Sequence, residues 1–364
     1  MRIAVIGGGI NGVMCAWRLS ESGHSVDLFE AQRMMCETSS NSSKLLHGGI
    51  RYLEQGHFGL VREALHDRAW WLKTAPHITR SIEIAMPVYK SSKRGRLTLY
   101  AAASIYSLLA GKFSLGKPRL FAAEESSGAF GELNTTDLSG VVTFFDGQMN
   151  EELLGSWVVK QARDAGVEIH EHTPVQSFDT AGWVNLGADS VKKYDVVINA
   201  AGPWAAYLNE QNQVNTNFTL TLVRGSHLLV DYQLKHSYLF QDPKSNRVVY
   251  VLDYFGRTLI GTTEVLQETN NSPSCSIEER KFLIEIFNQH FKHQISRQDI
   301  VREYSGLRPI LCKNENSATA DHSKASRESE VEVTGRLVTV YGGKWTSAPS
   351  LAAKIETKLR DARI

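Results

Sequence analysis

The chain has 364 residues, enough for two structural units with a core in each. Its 40 Lys+Arg and 39 Asp+Glu give a formal net charge of +1, which argues against nucleic-acid binding through a broad basic surface. The four cysteines (Cys15, Cys36, Cys275 and Cys312) lack Cys-x-x-Cys spacing, so we predict neither a metal site nor a disulfide framework. We predict a cytoplasmic protein, because a strand that starts at Arg2 leaves no room for a signal peptide.

The first thirty residues have the pattern of a dinucleotide-binding βαβ unit. An apolar run leads into Gly-Gly-Gly-Ile-Asn-Gly at 7–12, and a second apolar run ends at Glu30. In such a unit Gly7 permits the tight turn, Gly9 lets backbone approach a pyrophosphate, and Gly12 lets the helix pack on the strand. The helix N-terminus favours phosphate charge, and Glu30 is placed to accept hydrogen bonds from a ribose hydroxyl. The sequence therefore predicts a dinucleotide site at this end of the chain.

Further along, the periodicity predicts a second sheet and a return to the first domain. Segments 219–230, 247–252 and 257–261 have strand composition, and 150–165 and 277–291 have helical spacing. A strand at 194–199 runs into small residues, and a strand at 336–341 runs into Gly342-Gly343-Lys344 and a helix near Ser347. Segments 209–217 and 313–330 are predicted to be surface loops.

The segment 97–111 is the longest apolar stretch, but it is too short and too polar to span a membrane. Its apolar residues recur at helical spacing, so we predict a helix packed on its domain. An alternative is a helix that lies on a membrane surface, which would place the protein at the inner face of the membrane as a peripheral protein.

Several motifs together resemble the FAD-dependent glycerol-3-phosphate dehydrogenases of the D-amino-acid oxidase-like flavoprotein group. The longest is Ser-Lys-Leu-Leu-His-Gly-Gly-Ile-Arg-Tyr-Leu-Glu at 43–54, preceded by a polar run from Ser39. The others follow in family order at 61–65, 75–77, 199–204, 225–227, 261–264, 305–309 and 342–344. The resemblance runs nearly end to end.

The resemblance implies an α/β fold with an α+β cap: a Rossmann-like FAD-binding domain and a second, β-rich substrate (cap) domain. We expect the FAD-binding domain to be discontinuous, with residues 1–80, 145–215 and 300–364, and the cap to contain 81–144 and 216–299. The sequence has no second Gly-x-Gly-x-x-Gly, so a flavin enzyme that also binds NAD(P)H in a second fold is not expected.

The cofactor implied is FAD, and the predicted contacts fall in the motifs. They are Gly7, Gly9, Gly12, Glu30, Ser39, Ser40, Ser43, Lys44, Leu45, His47, Gly48, Gly49, Ala201, Gly202, Trp204, Gly343, Lys344, Trp345 and Thr346. Lys344 and the following helix N-terminus are expected to stabilise negative charge near N1 and C2=O of the reduced ring.

The activity implied is oxidation of glycerol 3-phosphate to dihydroxyacetone phosphate, or of a related small anionic alcohol, with hydride transfer to flavin N5 and a quinone or oxygen as acceptor. The resemblance places His227 and His47 near this chemistry, and a neutral imidazole is suited to take the hydroxyl proton. Arg51, Arg308 and Lys344 are the candidate cations for a phosphate, and Arg308 lies in an apolar context. Tyr52 and Thr262 are further candidate substrate contacts.

The chain departs from the family pattern near its end. Bacterial members continue into a C-terminal helical domain, which this chain to Ile364 does not include. After Gly-Gly-Lys the family reads Thr-Thr-Tyr-Arg, whereas here Trp345-Thr346-Ser347 follows, and Arg327 is the nearest counterpart of an upstream family arginine. Two alternatives therefore stay open. One is an amine or 2-hydroxy-acid oxidase whose Arg308 binds a carboxylate, and the other is a flavin-binding interaction protein without turnover.

Overall fold

The computed structural model describes residues 1–187, 190–242, 247–268, 272–313 and 329–362. The strands are β1 (Arg2–Ile6), β2 (Ser25–Phe29), β3 (Leu45–Leu46), β4 (Thr79–Tyr89), β5 (Arg119–Ala122), β6 (Leu138–Met149), β7 (Glu168–His170), β8 (Ser177–Phe178), β9 (Trp183–Asn185), β10 (Val191–Lys193), β11 (Val196–Asn199), β12 (Phe218–Val230), β13 (Ser237–Gln241), β14 (Val248–Tyr254), β15 (Arg257–Gly261), β16 (Val265–Leu266), β17 (Ile300–Lys313), β18 (Glu330–Thr334) and β19 (Leu337–Tyr341). The helices are α1 (Ile10–Glu21), α2 (Phe58–Thr74), α3 (Arg96–Ala110), α4 (Ala123–Ala129), α5 (Glu151–Asp164), α6 (Ala205–Gln211), α7 (Ile277–His290) and α8 (Ala348–Asp361).

The first sheet is a six-stranded, mostly parallel sheet in the order β18-β19-β11-β1-β2-β7. Strand β1 lies at its centre and pairs in parallel with β2 and β11, and only the edge strand β18 is antiparallel to its neighbour among these six. The four strands β1, β2, β11 and β19 therefore end at the same edge. In open α/β sheets this carboxyl edge is where ligands bind.

Both faces of this sheet are covered. Helices α1, α5 and α8 pack on one face and share a core that includes Val13, Leu154 and Ile355. The small antiparallel sheet β8–β10 covers the other face, where Phe178 and Val184 meet apolar residues of β1. Burial on two sides explains why β1 and β11 read as continuous apolar runs rather than alternating ones.

The second sheet has ten strands, in the order β16-β12-β15-β14-β13-β4-β6-β3, with β17 paired to β12 and β5 paired to β6. Helix α7 packs against it through Leu283 and Phe287, in a core with Leu228 and Phe240. Helices α2 and α3 cover another part, where Leu65 and Tyr106 contact β4 and β6 residues. Strands β12 and β17 run antiparallel over almost their whole length.

The architecture matches the predicted fold class: an α/β domain with a Rossmann-like sheet and a second, β-rich part. Two strands differ from the predicted division. Strand β3 lies in the 1–80 segment that we assigned to the first domain, but it pairs with β6 of the second sheet. We assigned residues from 300 onward to the first domain, but β17 pairs with β12 and so extends the second sheet. The predicted loop at 209–217 begins inside α6, and the predicted loop at 313–330 lies almost wholly outside the described residues, as does Arg327. Within the described ranges, no helix combines the length and the apolar character needed to cross a bilayer.

Candidate active site

A cavity of about 620 Å³ lies between the two sheets, in the size range of small-molecule and cofactor sites. We call one part the loop end: it is lined by the segments that follow β1, β2, β11 and β19, namely residues 7–11, 30–33, 200–204 and 342–346. We call the other part the sheet end: it is lined by His227, Tyr250, Thr262, Glu264 and Arg308. The cavity thus joins the carboxyl edge of the first sheet to a face of the second.

The glycine motif shapes the loop end through backbone contacts. Gly7 has φ +108°, and a Cβ there would lie 2.6 Å from the carbonyl oxygen of Ala200. Gly9 is the N-cap of α1, so the positive end of that helix faces the cavity. The N–H of Gly8 donates to a carboxylate oxygen of Glu30 at 2.7 Å. A phosphate-bearing, ribose-bearing ligand fits this arrangement of a helix N-terminus and an acidic side chain.

Gly12 does not line the cavity but lies behind the residues that do. A Cβ at Gly12 would lie 1.9 Å from the carbonyl oxygen of Gly7. Gly12 is absent from the cavity lining, so its role in the structure is to let α1 pack against the turn after β1.

The loop after β19 closes the loop end from the other side. Gly342 and Gly343 both have positive φ, and a Cβ at Gly343 would lie 2.4 Å from the side-chain nitrogen of Asn11. That nitrogen donates to the carbonyl oxygen of Gly342 at 3.1 Å. Two buried polar atoms here, Asn11 Oδ1 and Lys344 Nζ, have no hydrogen-bond partner among the described residues. Because buried polar groups are normally paired, the Lys344 ammonium fits an acceptor such as a flavin carbonyl oxygen, and Asn11 Oδ1 fits an N–H or O–H donor of the same ligand.

Residues far apart in the chain are tied together around this loop. The indole N–H of Trp345 donates to the carbonyl oxygen of Ser39 at 2.9 Å, and the Ser39 hydroxyl accepts from the N–H of Ile10 at 2.9 Å. The N–H of His47 donates to the hydroxyl of Thr346 at 3.0 Å. The beginning of α1, the 39–47 segment and the C-terminal motif therefore form one wall of the cavity.

Four residues predicted to contact the cofactor do not line the cavity: Gly12, Ser40, Lys44 and Gly48. The Ser40 hydroxyl donates to the carbonyl oxygens of Cys36 and Glu37, and the Lys44 ammonium is paired with the buried carboxylate of Glu151. Burial dominates the effect on this pair, lowering the pKa of Lys44 and raising that of Glu151. The side chains of Ser40 and Lys44 therefore make contacts within the protein, and their contact with the cofactor stays a prediction.

A buried polar network that does not line the cavity binds the backbone N–H of Gly48. Its N–H donates to the hydroxyl of Tyr106 at 2.6 Å, that hydroxyl donates to Asp146, and Arg68 donates to Asp146 at 3.1 Å. Burial raises the pKa of Asp146 to about 6, with Arg68 and Tyr106 opposing the shift. This network fixes the backbone of the His-Gly-Gly motif without reaching the cavity.

The remaining predicted site residues all line one cavity, although they come from the whole length of the chain. They are Gly7, Gly9, Glu30, Ser39, Ser43, Leu45, His47, Gly49, Arg51, Tyr52, Ala201, Gly202, Trp204, His227, Thr262, Arg308, Gly343, Lys344, Trp345 and Thr346.

At the sheet end, two small residues make room for two functional side chains. A Cβ at Gly225 would lie 2.0 Å from a guanidinium nitrogen of Arg308, and a Cβ at Gly261 would lie 2.2 Å from the ring of His227. Gly225 and His227 lie two positions apart on β12, so they share a face. The guanidinium of Arg308 and the imidazole of His227 therefore lie side by side above this strand.

His227 is an uncharged base in a buried setting. Its Nε2 lies 2.9 Å from the hydroxyl of Ser43, and its ring stacks on Tyr304 with centroids 4.9 Å apart. Its Nδ1 is buried, with no hydrogen-bond partner among the described residues. Burial, with the nearby positive charges of Arg308 and Lys44, holds the pKa of His227 well below the usual 6.5. The imidazole is therefore neutral at pH 7.

Arg308 donates to the hydroxyl of Thr262 and lies 3.7 Å from a carboxylate oxygen of Glu264. The cavity also receives Arg51 and Lys344, and the Lys344 ammonium lies 5.3 Å from the ring centroid of Tyr52. Three cations, Arg51, Arg308 and Lys344, thus contribute to the lining of the cavity, which suits a small anionic ligand.

Sequence reasoning missed several lining residues. Asn11 and Glu264 lie inside motifs that were recognised, so their position in those motifs was an available signal. Tyr250 and the Pro174–Val175 pair carry no motif, and only the fold brings them to the cavity.

Comparisons with known proteins show the family and the fold of this chain. The family model described as FAD dependent oxidoreductase (DAO) matches residues 2–355. A glycerol-3-phosphate dehydrogenase of Pseudomonas tolaasii is 33% identical over 98% of this chain and 71% of its own length. The FAD complex of a glycerol-3-phosphate dehydrogenase from Bacillus halodurans superimposes with a TM-score of 0.76 at 22% identity, over 100% of this chain and 65% of that one. An FAD-bound L-α-glycerophosphate oxidase from Mycoplasma pneumoniae gives 0.80 at 19% identity, over 99% of this chain and 94% of that one.

The fold and the site define a flavoprotein oxidoreductase of two sheets with the cofactor cavity between them. The chain belongs to the DAO family of FAD-dependent oxidoreductases.

Proposed function

We propose that the loop end of the cavity holds FAD. The N-terminus of α1 at Gly9 faces the pyrophosphate, Glu30 accepts from the ribose, and Asn11 Oδ1 and Lys344 Nζ meet polar atoms of the cofactor. Bound FAD supplies the acceptor for the hydride that leaves the substrate carbon. In this arrangement the first sheet binds the cofactor and the second sheet binds the substrate.

We propose that the sheet end oxidises glycerol 3-phosphate, the substrate in the names of the relatives. The observation that carries this is the pairing of Arg308 with a neutral His227 on one face of β12 and β17. Arg308 binds the phosphate, with Arg51 as a second cation lining the cavity, and the imidazole receives the proton of the secondary hydroxyl.

The test is an anaerobic absorbance titration of the purified protein with sn-glycerol 3-phosphate. Bleaching of the flavin bands is expected. A protein that stays yellow with glycerol 3-phosphate but bleaches with a small amine or 2-hydroxy acid would support the carboxylate alternative. Flavin bands that persist with every candidate would support a flavin-binding interaction protein. A colourless protein that does not take up FAD would contradict the cofactor site.

We further propose that the electrons leave to a quinone at a membrane surface, with α3 as the contact. Leu97 and Leu108 on α3 are 70% and 77% exposed, while Ala103 and Tyr106 on its other side are buried. Between residues 84 and 123 the chain has seven Lys+Arg and no Asp or Glu. An exposed apolar helix face within a basic segment fits an anionic lipid surface.

Vesicle sedimentation tests this contact. We expect binding to vesicles that contain phosphatidylglycerol and a loss of about tenfold in the Leu97→Glu/Leu108→Glu variant. A matched control changes two exposed apolar residues elsewhere, Leu153 on α5 (55% exposed) and Ile277 on α7 (59% exposed), to Glu. Equal binding by both variants would contradict the α3 contact. Oxygen uptake that outpaces quinone reduction would instead support oxygen as acceptor, consistent with the oxidase among the structural relatives.

A further inference from the structure

We propose that Ser43 is a catalytic residue that passes the substrate's hydroxyl proton to Nε2 of His227. The proposal rests on the proposed function and adds a step between substrate and base. We predicted Ser43 as a cofactor contact, but the structure gives its hydroxyl a different neighbour, the imidazole of His227.

The imidazole has limited access to the cavity. His227 is only 2% exposed, its Nδ1 is buried, and its Nε2 is occupied by the Ser43 hydroxyl at 2.9 Å. One ring face is covered by Tyr304. Ser43 and His227 both line the cavity, and the Ser43 hydroxyl is the group that occupies Nε2, the nitrogen that would accept the proton.

Ser43 is held in place by its neighbours in the chain. Ser42 donates both its backbone N–H and its hydroxyl to Glu151, and Lys44 pairs with the other oxygen of the same carboxylate. The Lys44 ammonium also lies 4.5 Å from the ring centroid of Tyr304, the ring that supports His227. Both residues beside Ser43 are thus anchored to one buried acid, which directs the hydroxyl between them toward the imidazole.

Burial and two nearby positive groups favour the uncharged form of His227. Arg308 on β17 and Lys44 on the 42–44 segment are positive, and the Glu151 carboxylate is already paired with Lys44. A neutral ring with an unprotonated Nε2 can accept a proton. The transfer becomes favourable as the carbon–oxygen bond of the substrate gains carbonyl character, because the hydroxyl proton then becomes more acidic.

The step balances as a double proton transfer. The O–H bond of the substrate breaks and its proton moves to Oγ of Ser43 as the Ser43 proton moves to Nε2. The serine ends unchanged, the imidazole becomes imidazolium, and the electron pair of the O–H bond forms the second bond of the carbonyl. The carbon-bound hydrogen leaves as a hydride with its own electron pair, by the chemistry given above.

The kinetic test compares Ser43→Ala, Ser43→Thr and His227→Gln by anaerobic stopped-flow reduction with glycerol 3-phosphate. We expect Ser43→Ala to keep its FAD and its affinity for substrate within about threefold, but to slow flavin reduction by about 100-fold. Ser43→Thr, which keeps a hydroxyl, should recover to within about tenfold of wild type. The Ser43→Ala/His227→Gln double variant should be no slower than the slower single variant, since both lie on one proton path. Ser156→Ala on the exposed face of α5 is the control.

A second measurement does not depend on turnover. In protein labelled with ¹⁵N-histidine, the His227 signals should show Nε2 as the unprotonated nitrogen that accepts a hydrogen bond, and Ser43→Ala should shift that signal. A fast Ser43→Ala variant, or Nε2 as the protonated nitrogen, overturns the relay and leaves the proposed function standing. A wild-type protein that is not reduced by glycerol 3-phosphate overturns the proposed function and the relay together. Loss of FAD in Ser43→Ala alone would assign the residue to the cofactor and also overturn the relay.

Discussion

The loop end of the cavity is lined by the segments that follow four parallel strands, whereas the sheet end is lined by residues of antiparallel strands and of the segment after β15. At the loop end the geometry depends on glycines that let chains approach closely, as Gly7 approaches Ala200. At the sheet end it depends on charge, with Arg308 and a neutral His227 above small residues. Shape therefore dominates one end and electrostatics the other, and substitutions at the two ends should fail in different ways.

The largest expected effect comes from adding one methyl group below the loop end. Gly12→Ala places a Cβ 1.9 Å from the carbonyl oxygen of Gly7, so the strand and α1 must separate. We expect a loss of about 4 kcal/mol or more in the free energy of unfolding, together with loss of FAD. Thermal unfolding and flavin absorbance per protein measure both.

A matched change elsewhere isolates the steric cause. Gly59 in α2 has nothing within 4 Å of its ideal Cβ position, so Gly59→Ala should change stability by no more than about 1 kcal/mol. A Gly12→Ala protein as stable and as yellow as Gly59→Ala would contradict the packing role.

The next effect is a pH dependence in the core of the second sheet. His290 stacks on Phe240 at 4.2 Å, and burial lowers its pKa from 6.5 to about 4. As the pH falls below about 6.5 the unfolded chain takes up a proton that the native ring does not. Stability is therefore lost between pH 6.5 and 4, by about 3 kcal/mol.

The measurement is urea unfolding of wild type and His290→Phe at pH 7 and pH 4.5. The ring of phenylalanine keeps the stack and removes the titration, so the variant should lose less stability than wild type on acidification. Parallel losses in the two proteins would show that His290 does not carry this dependence.

A smaller effect is expected for substrate at the sheet end. Arg308→Ala removes the cation that faces His227 and should weaken substrate affinity by about 100-fold, close to 3 kcal/mol, with FAD content retained. Arg308→Lys keeps the charge without the bidentate geometry, so its substrate affinity should lie between those of wild type and Arg308→Ala. Substrate affinity is read from the concentration dependence of flavin reduction. Loss of flavin in Arg308→Ala would contradict the assignment of Arg308 to substrate binding and, with it, the separation of the two ends into a cofactor part and a substrate part.

The smallest effect is expected for a side chain at the loop end. The side-chain nitrogen of Asn11 donates to the carbonyl oxygen of Gly342, so Asn11→Ala removes one hydrogen bond between the start of α1 and the segment after β19. We expect a cost of about 1 kcal/mol in unfolding and a modest weakening of FAD, measured by calorimetric titration of the apoprotein. An effect as large as that of Gly12→Ala would mean that the loop end depends on side chains after all.

The sequence alone determined four strands of the first sheet, β1, β2, β11 and β19, and the segments that follow them. Glycine spacing, apolar runs and an acidic residue at a strand end are local signals, so β1, α1, β2 and Glu30 could be predicted from a stretch of thirty residues. A strand at 194–199, which is β11 (Val196–Asn199) in the structure, and the Gly342–Lys344 turn were predicted for the same reason.

The tertiary structure decided the rest. The sequence does not show that Lys44 faces Glu151, that β17 joins the second sheet, or that Ser43 meets His227, which is 184 positions away. These contacts depend on strand register and on where small residues leave space for the side chains of neighbouring strands. Both are properties of packing between segments distant in the chain, and no local pattern encodes them.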